Sequence, residues 1–281
     1  MSALPAIAHE KGNLTMPRRG ASPAVRRAVM GLAALAMLLA MDAFCLEPNW
    51  IEVTHSRVTA PVARPLKIAH LTDLHSGGVG FRERRLLALL DQEQPDLIVI
   101  TGDTPSNDLT LDYARPLLER LHAPMGVWVV RGNWEVWQDG RSTAPFFRSL
   151  GFHYLQNANE QLMPGIWIVG LDDPRSGHPD VYQSYEGVPK DAYSITLVHA
   201  PIIFDMLARK TNLVLAGHTH GGQVRLPWLK PLWLPPACGS YVEGWYQRGT
   251  ARMYVSRGIG MSILPVRFLC RPELDIITLQ S

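Results

Sequence analysis

Leu66-Lys67-Ile68-Ala69-His70-Leu71-Thr72-Asp73-Leu74-His75 is a short apolar run that closes on an Asp-x-His pair. The run has the length and composition of a buried strand, and the polar pair stands where such a strand gives way to a loop. The same arrangement returns along the chain. A run at 97–101 ends in Gly102-Asp103, one at 127–130 in Gly132-Asn133, one at 195–198 in His199, and one at 213–216 in Gly217-His218-Thr219-His220. Further strand-like runs lie at 51–54, 166–171, 253–255 and 274–279, with a proline-punctuated turn at 59–65. Helical spacing of apolar residues marks 82–92, 111–121 and 202–210. Buried strands alternating with helices specify an α/β domain with central sheets. In such sheets ligands gather beyond the carboxyl ends of the strands. Five strand ends are therefore expected to bring Asp73, His75, Asp103, Asn133, His199, His218 and His220 to one edge.

Taken singly these signals are weak. Asp-x-His is common at strand ends, Gly-Asp is an ordinary turn, and His199 before Ala200-Pro201 reads equally as a core histidine. Gly-His-x-His is more specific. With 23 glycines and 10 histidines in 281 residues it is expected by chance about 0.03 times. The five together, in order and each at a strand end, specify a metal site. Glycines 102, 132, 217, 221 and 222 allow the sharp turns that convergence needs. The donor set is carboxylate, imidazole and amide without thiolate, which suits Mn, Fe, Zn or Co, with Mn favoured. Seven donors exceed one tetrahedral ion and suit two divalent cations sharing a carboxylate.

Composition excludes other classes. Hydrophobic residues make up 47% and charged residues 19%, as in a globular protein with a sizeable core. The net charge of +2 is concentrated in residues 1–27, where Lys11, Arg18, Arg19, Arg26 and Arg27 face only Glu10. No basic stripe marks the remainder, so nucleic acid is not an expected partner. Cys45, Cys238 and Cys270 form no zinc spacing. Cys238 and Cys270 either pair in an oxidising compartment or remain buried thiols.

Residues 1–27 read as a basic cytoplasmic leader, 28–46 as a transmembrane anchor or signal segment, and 47–281 as the catalytic domain. The apolar stretch is short for a span, which wants ~20 residues. It lacks a small-x-small cleavage site and the small residues that would precede a lipoprotein Cys45, so an uncleaved anchor is the reading taken, over a cleaved signal or a core helix. The basic leader places the domain outside the cytoplasm by the positive-inside rule.

The ordered set Asp73-x-His75, Gly102-Asp103, Gly132-Asn133, His199, Gly217-His218-x-His220 resembles the calcineurin-like metallophosphoesterases over roughly residues 66–222. Glu47-Pro48-Asn49-Trp50, Gly170-Leu171-Asp172-Asp173, Gly221-Gly222-Gln223 and Ser256-Arg257-Gly258-Ile259-Gly260 resemble the family's bacterial membrane-associated branch. The resemblance implies a four-layer α-β-β-α sandwich behind one amino-terminal membrane segment. It implies Asp73, His75, Asp103 and His220 on one metal and Asp103, Asn133, His199 and His218 on the second, with Asp103 as the bridge and Asp103, Asn133 and His218 as catalytic residues. It further implies hydrolysis of phosphodiester or pyrophosphate bonds by a hydroxide held between the metals, and a bacterial inner-membrane location with the domain periplasmic or otherwise extracytoplasmic.

One position departs from that pattern. The family's Gly-Asn-His is here Gly132-Asn133-Trp134, followed by Glu135. Indole N–H donates a hydrogen bond but transfers no proton at neutral pH, and positioned acid–base help is worth ~10²–10⁴ in rate. A substrate with a good leaving group needs that help least. The family's UDP-2,3-diacylglucosamine hydrolases of lipid A biosynthesis also depart from histidine at this position, which makes a nucleotide-lipid an expected substrate; it is cytoplasmic, against the orientation above. Trp134, Glu135, Arg175 and His178 are candidate substrate-binding residues, with Arg131 beside them. The alternatives are a catalytically impaired metal-binding membrane protein, decayed at Trp134, and a metal hydrolase of amides or esters.

Overall fold

The computed structural model describes residues 22–106 and 110–281. Lys11, Arg18 and Arg19 of the expected leader lie outside the described residues. The chain divides into two units, one ending at Leu39 and one spanning Ala40–Ser281. In the first, helix α1 (Pro23–Met41) begins earlier than the sequence pattern indicated and carries no buried residue. The helical run Pro23–Asn49 is long and apolar enough to cross a membrane, with Arg26 and Arg27 near its start.

The second unit holds two six-stranded sheets. The first comprises β1 (Glu52–Thr59), β2 (Leu66–Leu71), β3 (Leu97–Thr101), β4 (Val127–Val130) and β5 (His153–Tyr154), and borrows the final strand, β12 (Glu273–Gln280), to give the order β1-β12-β2-β3-β4-β5. The second comprises β6 (Ala158–Met163), β7 (Ile166–Gly170), β8 (Tyr193–Leu197), β9 (Leu213–Ala216), β10 (Gly244–Arg248) and β11 (Ala251–Val255), in the order β10-β11-β9-β8-β7-β6. Strands β2, β3, β4 and β5 run parallel in one sheet, and β11, β9, β8 and β7 in the other. Their carboxyl ends therefore share an edge within each sheet.

Alternation along these strands assigns the layers. Leu97 and Val99 join Ile68, Ile195 and Leu215 in the core between the sheets. Ile98 and Ile100 point the other way, onto Leu86 and Leu90 of α2 (Phe81–Glu93), Leu117 of α3 (Leu111–Leu118) and Phe147 of α5 (Thr143–Ser149), the last following the short helix α4 (Asn133–Asp139). Val198, Val214 and Val255 cover the outer face of the second sheet together with Val181 of α6 (Val181–Ser184) and Phe204 and Leu207 of α7 (Phe204–Leu207). The result is the expected four-layer α-β-β-α sandwich. Helix α3 stops three residues short of the pattern because its end tightens: Arg120 N donates to Leu117 O and Leu121 N to Leu118 O. The pattern at 202–210 divides into a 3₁₀ turn, Pro201–Ile203, and α7. Cys45, Cys238 and Cys270 are all free thiols, the latter two buried.

Candidate metal centre

The loops after β2, β3 and β4 in one sheet and after β8 and β9 in the other meet at one end of the sandwich. They are bound to each other by backbone groups. Asp73 N donates to Gly102 O and His75 N to Asp103 O, both at 3.0 Å. Across the sheets, His218 N donates to Asp73 Oδ2 at 2.9 Å. Asp73, His75, Asp103, His218 and His220 all have positive φ, between 40° and 71°. That conformation costs a non-glycine residue roughly 1–2 kcal/mol, and it persists at functional sites where the surroundings over-determine it. Here the surroundings leave no slack. A Cβ on Gly217 would stand 2.0 Å from Thr72 Oγ1 and 2.4 Å from Asp73 Oδ2.

Two donor groups result. Asp73, His75 and His220 offer atoms within 4.8 Å of one another, and so do Asp103, His199 and His218. Asp103 belongs to both by distance, its Oδ2 lying 3.1 Å from His199 Nε2 and 3.8 Å from His75 Nε2. Asn133, buried at the start of α4, has an Oδ1 with no hydrogen-bond partner, and Asp73 Oδ1 stands 3.2 Å from His220 Nε2. All seven predicted donors are buried.

The rings are oriented from behind by backbone carbonyls. His75 Nδ1 lies 3.2 Å from Pro105 O, His199 Nδ1 2.7 Å from Thr101 O, and His218 Nε2 2.7 Å from Pro236 O. With N–H on those outer nitrogens, the inner ones turn their lone pairs into the site, the usual arrangement of metal-binding histidine. Inner nitrogens then converge: His75 Nε2 and His220 Nε2 at 3.3 Å, His199 Nε2 and His218 Nδ1 at 3.1 Å. Converging lone pairs need a shared proton or a cation. The orphaned Asn133 amide oxygen and the Asp73 and Asp103 carboxylates beside them make the donor set one that fits two cations.

Burial and neighbouring charge compete at these groups. Burial lowers His75 well below the usual histidine value and takes His218 down to about 3, leaving both as neutral ligand-form rings. Burial pushes the Asp103 carboxyl up to about 7 against the downward pull of His199. For His199 burial works downward, yet the Asp103 charge prevails and holds it well above its ordinary value. Burial would likewise raise Asp73, but its attraction to His220 and the other rings holds it well below the carboxylate range.

Among the candidate substrate residues, Glu135 is engaged by backbone N–H groups. Its Oε2 accepts from Asp103 N at 3.0 Å and Gly132 N at 2.8 Å, and its Oε1 from Thr104 N at 2.7 Å. Those bonds occupy a buried carboxylate in holding the Asp103 loop. The spacing of Gly132 and Glu135 at a helix start was the available signal, since an acid at the third helical position commonly binds the N-cap N–H. Trp134 donates its backbone N–H to Asp103 Oδ1 at 2.9 Å, and its indole stands edge-on to His75 with centroids 5.7 Å apart. Arg175 shares the Pro236 carbonyl with His218, at 3.2 Å, and lies over the Trp137 ring. His178 is exposed; its N–H donates to Asp172 and its carbonyl accepts from Asn157. Arg131 is committed to Asp172 through bonds of 2.6 and 2.7 Å. The strand-end rule also applied to Asp172-Asp173 after β7, both buried, which the sequence reading used only for resemblance.

A family model described as calcineurin-like phosphoesterase matches residues 66–222, the segment that carries all seven donors. The uncharacterized metallophosphoesterase YkuE of Bacillus subtilis is 36% identical over 257 residues, covering 84% of this chain and 88% of that one. The phosphodiesterase YaeI of Escherichia coli is 28% identical, with 83% and 90% covered. A transmembrane protein with metallophosphoesterase domain from Danio rerio is also 28% identical and covers 77% of this chain, which spans 53% of that protein. Such a match over the donor-bearing half of the sandwich, with relatives that run nearly end to end, means that the chain belongs to the calcineurin-like phosphoesterases and is a metal-dependent phosphoester hydrolase.

Proposed function

We propose that the chain hydrolyses phosphodiester or pyrophosphate bonds at two divalent cations, one on Asp73, His75, Asp103 and His220 and the other on Asp103, Asn133, His199 and His218. The observation that carries this reading is the position of Asp103 Oδ2, within 4 Å of a ring nitrogen from each group. Bound there, the cations would acidify a water and neutralise charge on the phosphoryl oxygens. The chain's own contribution is to fix their positions. Glu135 and the Trp134 N–H hold the Asp103 carboxylate from two sides, and the Thr101, Pro105 and Pro236 carbonyls fix the ring tautomers. Asp103, Asn133 and His218 are the catalytic residues of this reading, and Mn²⁺ is the cation it assigns from the mixed oxygen and nitrogen donors.

Trp134 narrows the substrate. Its indole occupies the wall beside His75, where it shapes the site without a transferable proton. The leaving group must then depart as a stable anion, as from a pyrophosphate or an aryl phosphodiester. A nucleotide-lipid such as UDP-2,3-diacylglucosamine meets that demand if the domain faces the cytoplasm. Arg26 and Arg27 in the first turns of the apolar helix argue for an inner-membrane anchor with the domain outside, where a lipid pyrophosphate without a nucleotide meets it instead. Turnover of bis(p-nitrophenyl) phosphate, a UDP-linked sugar and a dialkyl phosphodiester by the full chain with Mn²⁺ tests the reading. The first two are expected to turn over at least about 10²-fold faster than the third. Equal rates would refute the leaving-group argument, and no turnover of any would refute the site.

A further inference from the structure

Two loops beside the metal centre expose large apolar side chains. Residues 225–236 present Trp228, Leu229, Leu232 and Trp233, with Trp228 fully exposed, and residues 261–269 present Ile263 and Leu264. Scattered surface hydrophobics need no explanation, but a contiguous patch does. These loops are contiguous by hydrogen bonding: Gln223 Nε2 donates to Ser262 O and Leu264 O, its Oε1 accepts from Ser262 N, and Arg225 N donates to Phe268 O.

The second of these loops is bound to the residues that follow α1. Arg267 N donates to Ala43 O at 3.0 Å, and Leu269 N to the Glu47 carboxylate at 2.8 Å. Ala43 follows α1 by two residues, which at helical rise is roughly 3 Å of chain. The attachment points thus follow the apolar helix within a few residues of chain. Composition agrees. Neither loop contains Asp or Glu, and Lys230 lies between the two tryptophans, a pairing of aromatic and basic residues suited to the headgroup zone. Pro227, Pro231, Pro235 and Pro236 lack backbone N–H groups, and the loop forms no strand, which suits a loop at headgroup depth better than one in the hydrocarbon.

We infer that loops 225–236 and 261–269 are a lipid-docking surface, which seats the catalytic domain on the bilayer that holds its own apolar helix. Leu232, Trp233, Ile263 and Leu264 also line, with His220, a cavity of about 270 Å³. Docking thus brings the metal centre to the membrane surface and gives amphiphilic phosphoesters the shortest approach.

The test uses the full chain in vesicles of phosphatidylcholine and phosphatidylglycerol, on a Cys45→Ser background in which Cys238 and Cys270 stay buried. An environment-sensitive fluorophore is attached to cysteine in Trp228→Cys, Ile263→Cys and, as reference, Lys190→Cys. Lys190 is exposed before β8, at the end of that strand opposite His199. A lipid-borne nitroxide is expected to quench the probes at 228 and 263 at least about threefold more than at 190, and aqueous iodide to show the reverse order. Equal quenching at all three positions would overturn the inference. Cross-linking of two chains through position 228 without lipid quenching would also overturn it, since the face would then cover a second copy. The readout is independent of catalysis, and an unchanged melting temperature shows that each labelled variant is folded.

Discussion

Replacing Glu135 by glutamine keeps the side chain's volume and removes one of its two acceptor oxygens. In the native site three buried backbone N–H groups converge on the carboxylate, those of Gly132, Asp103 and Thr104. A glutamine oxygen in the Oε2 place retains the first two, as neutral bonds of lower strength. Its amide then faces the Thr104 N–H, a buried donor left without a partner, which costs about 1–3 kcal/mol. Together the losses come to about 3 kcal/mol, and at roughly 2–4 °C per kcal/mol for a domain of this size the melting temperature should fall by roughly 6–12 °C. The loop that loosens carries Asp103, which both donor groups share. Metal content and kcat should therefore fall while KM stays nearly constant. Thermal melting, metal analysis and steady-state kinetics on the one variant separate this role from the substrate contact its sequence position indicated. An unchanged melting temperature and full metal content, with KM alone raised, would refute the loop-holding role.

Gly217→Ala drives a methyl group into Thr72 Oγ1 and Asp73 Oδ2, at 2.0 and 2.4 Å. Displacement of Asp73 should release one cation per chain and lower turnover at least about 10²-fold; retained metal and rate would mean that the loop yields without cost. Trp134→His supplies the missing proton donor, so dialkyl phosphodiester turnover should rise about 10²-fold with little change for aryl substrates. An unchanged ratio between the two substrates would contradict the role given to the indole. Asp103 is raised to about 7 and the Asp103 charge holds His199 well above its usual value, so the pair retains at least one proton in the cation-free site under mildly acid conditions. Cations must displace what the pair retains, and affinity should fall about tenfold per pH unit below 7 for each proton released. A dissociation constant equal at pH 6 and pH 8 would contradict that linkage.

The site was more legible than the frame around it. Donors at strand ends are local features: an apolar run, a glycine or short loop, then the polar residue. Long-range pairing is not local, and nothing near 274–279 announced that β12 would lie between β1 and β2, parallel to one and antiparallel to the other. Edge strands were missed for a related reason. Glu160-Gln161 in β6 and Gln247-Arg248 in β10 face solvent and carry little apolar signal. The backbone bonds of Glu135 were not legible because its charge was read without the helix that begins at Asn133. The left-handed backbone at Asp73, His75, Asp103, His218 and His220 was invisible, since side-chain identity there reports ligand chemistry and not the conformation that delivers it.

The central claim is that Asp103 serves two cations at once. Metal analysis of the Mn²⁺-loaded chain beside its Asp103→Asn variant tests this directly, with bis(p-nitrophenyl) phosphate turnover measured on the same samples. The account predicts two ions per wild-type chain, with fewer than one in the variant and turnover reduced at least about 10³-fold. A variant that keeps both ions and its activity, or a wild-type chain that takes up at most one, would contradict it.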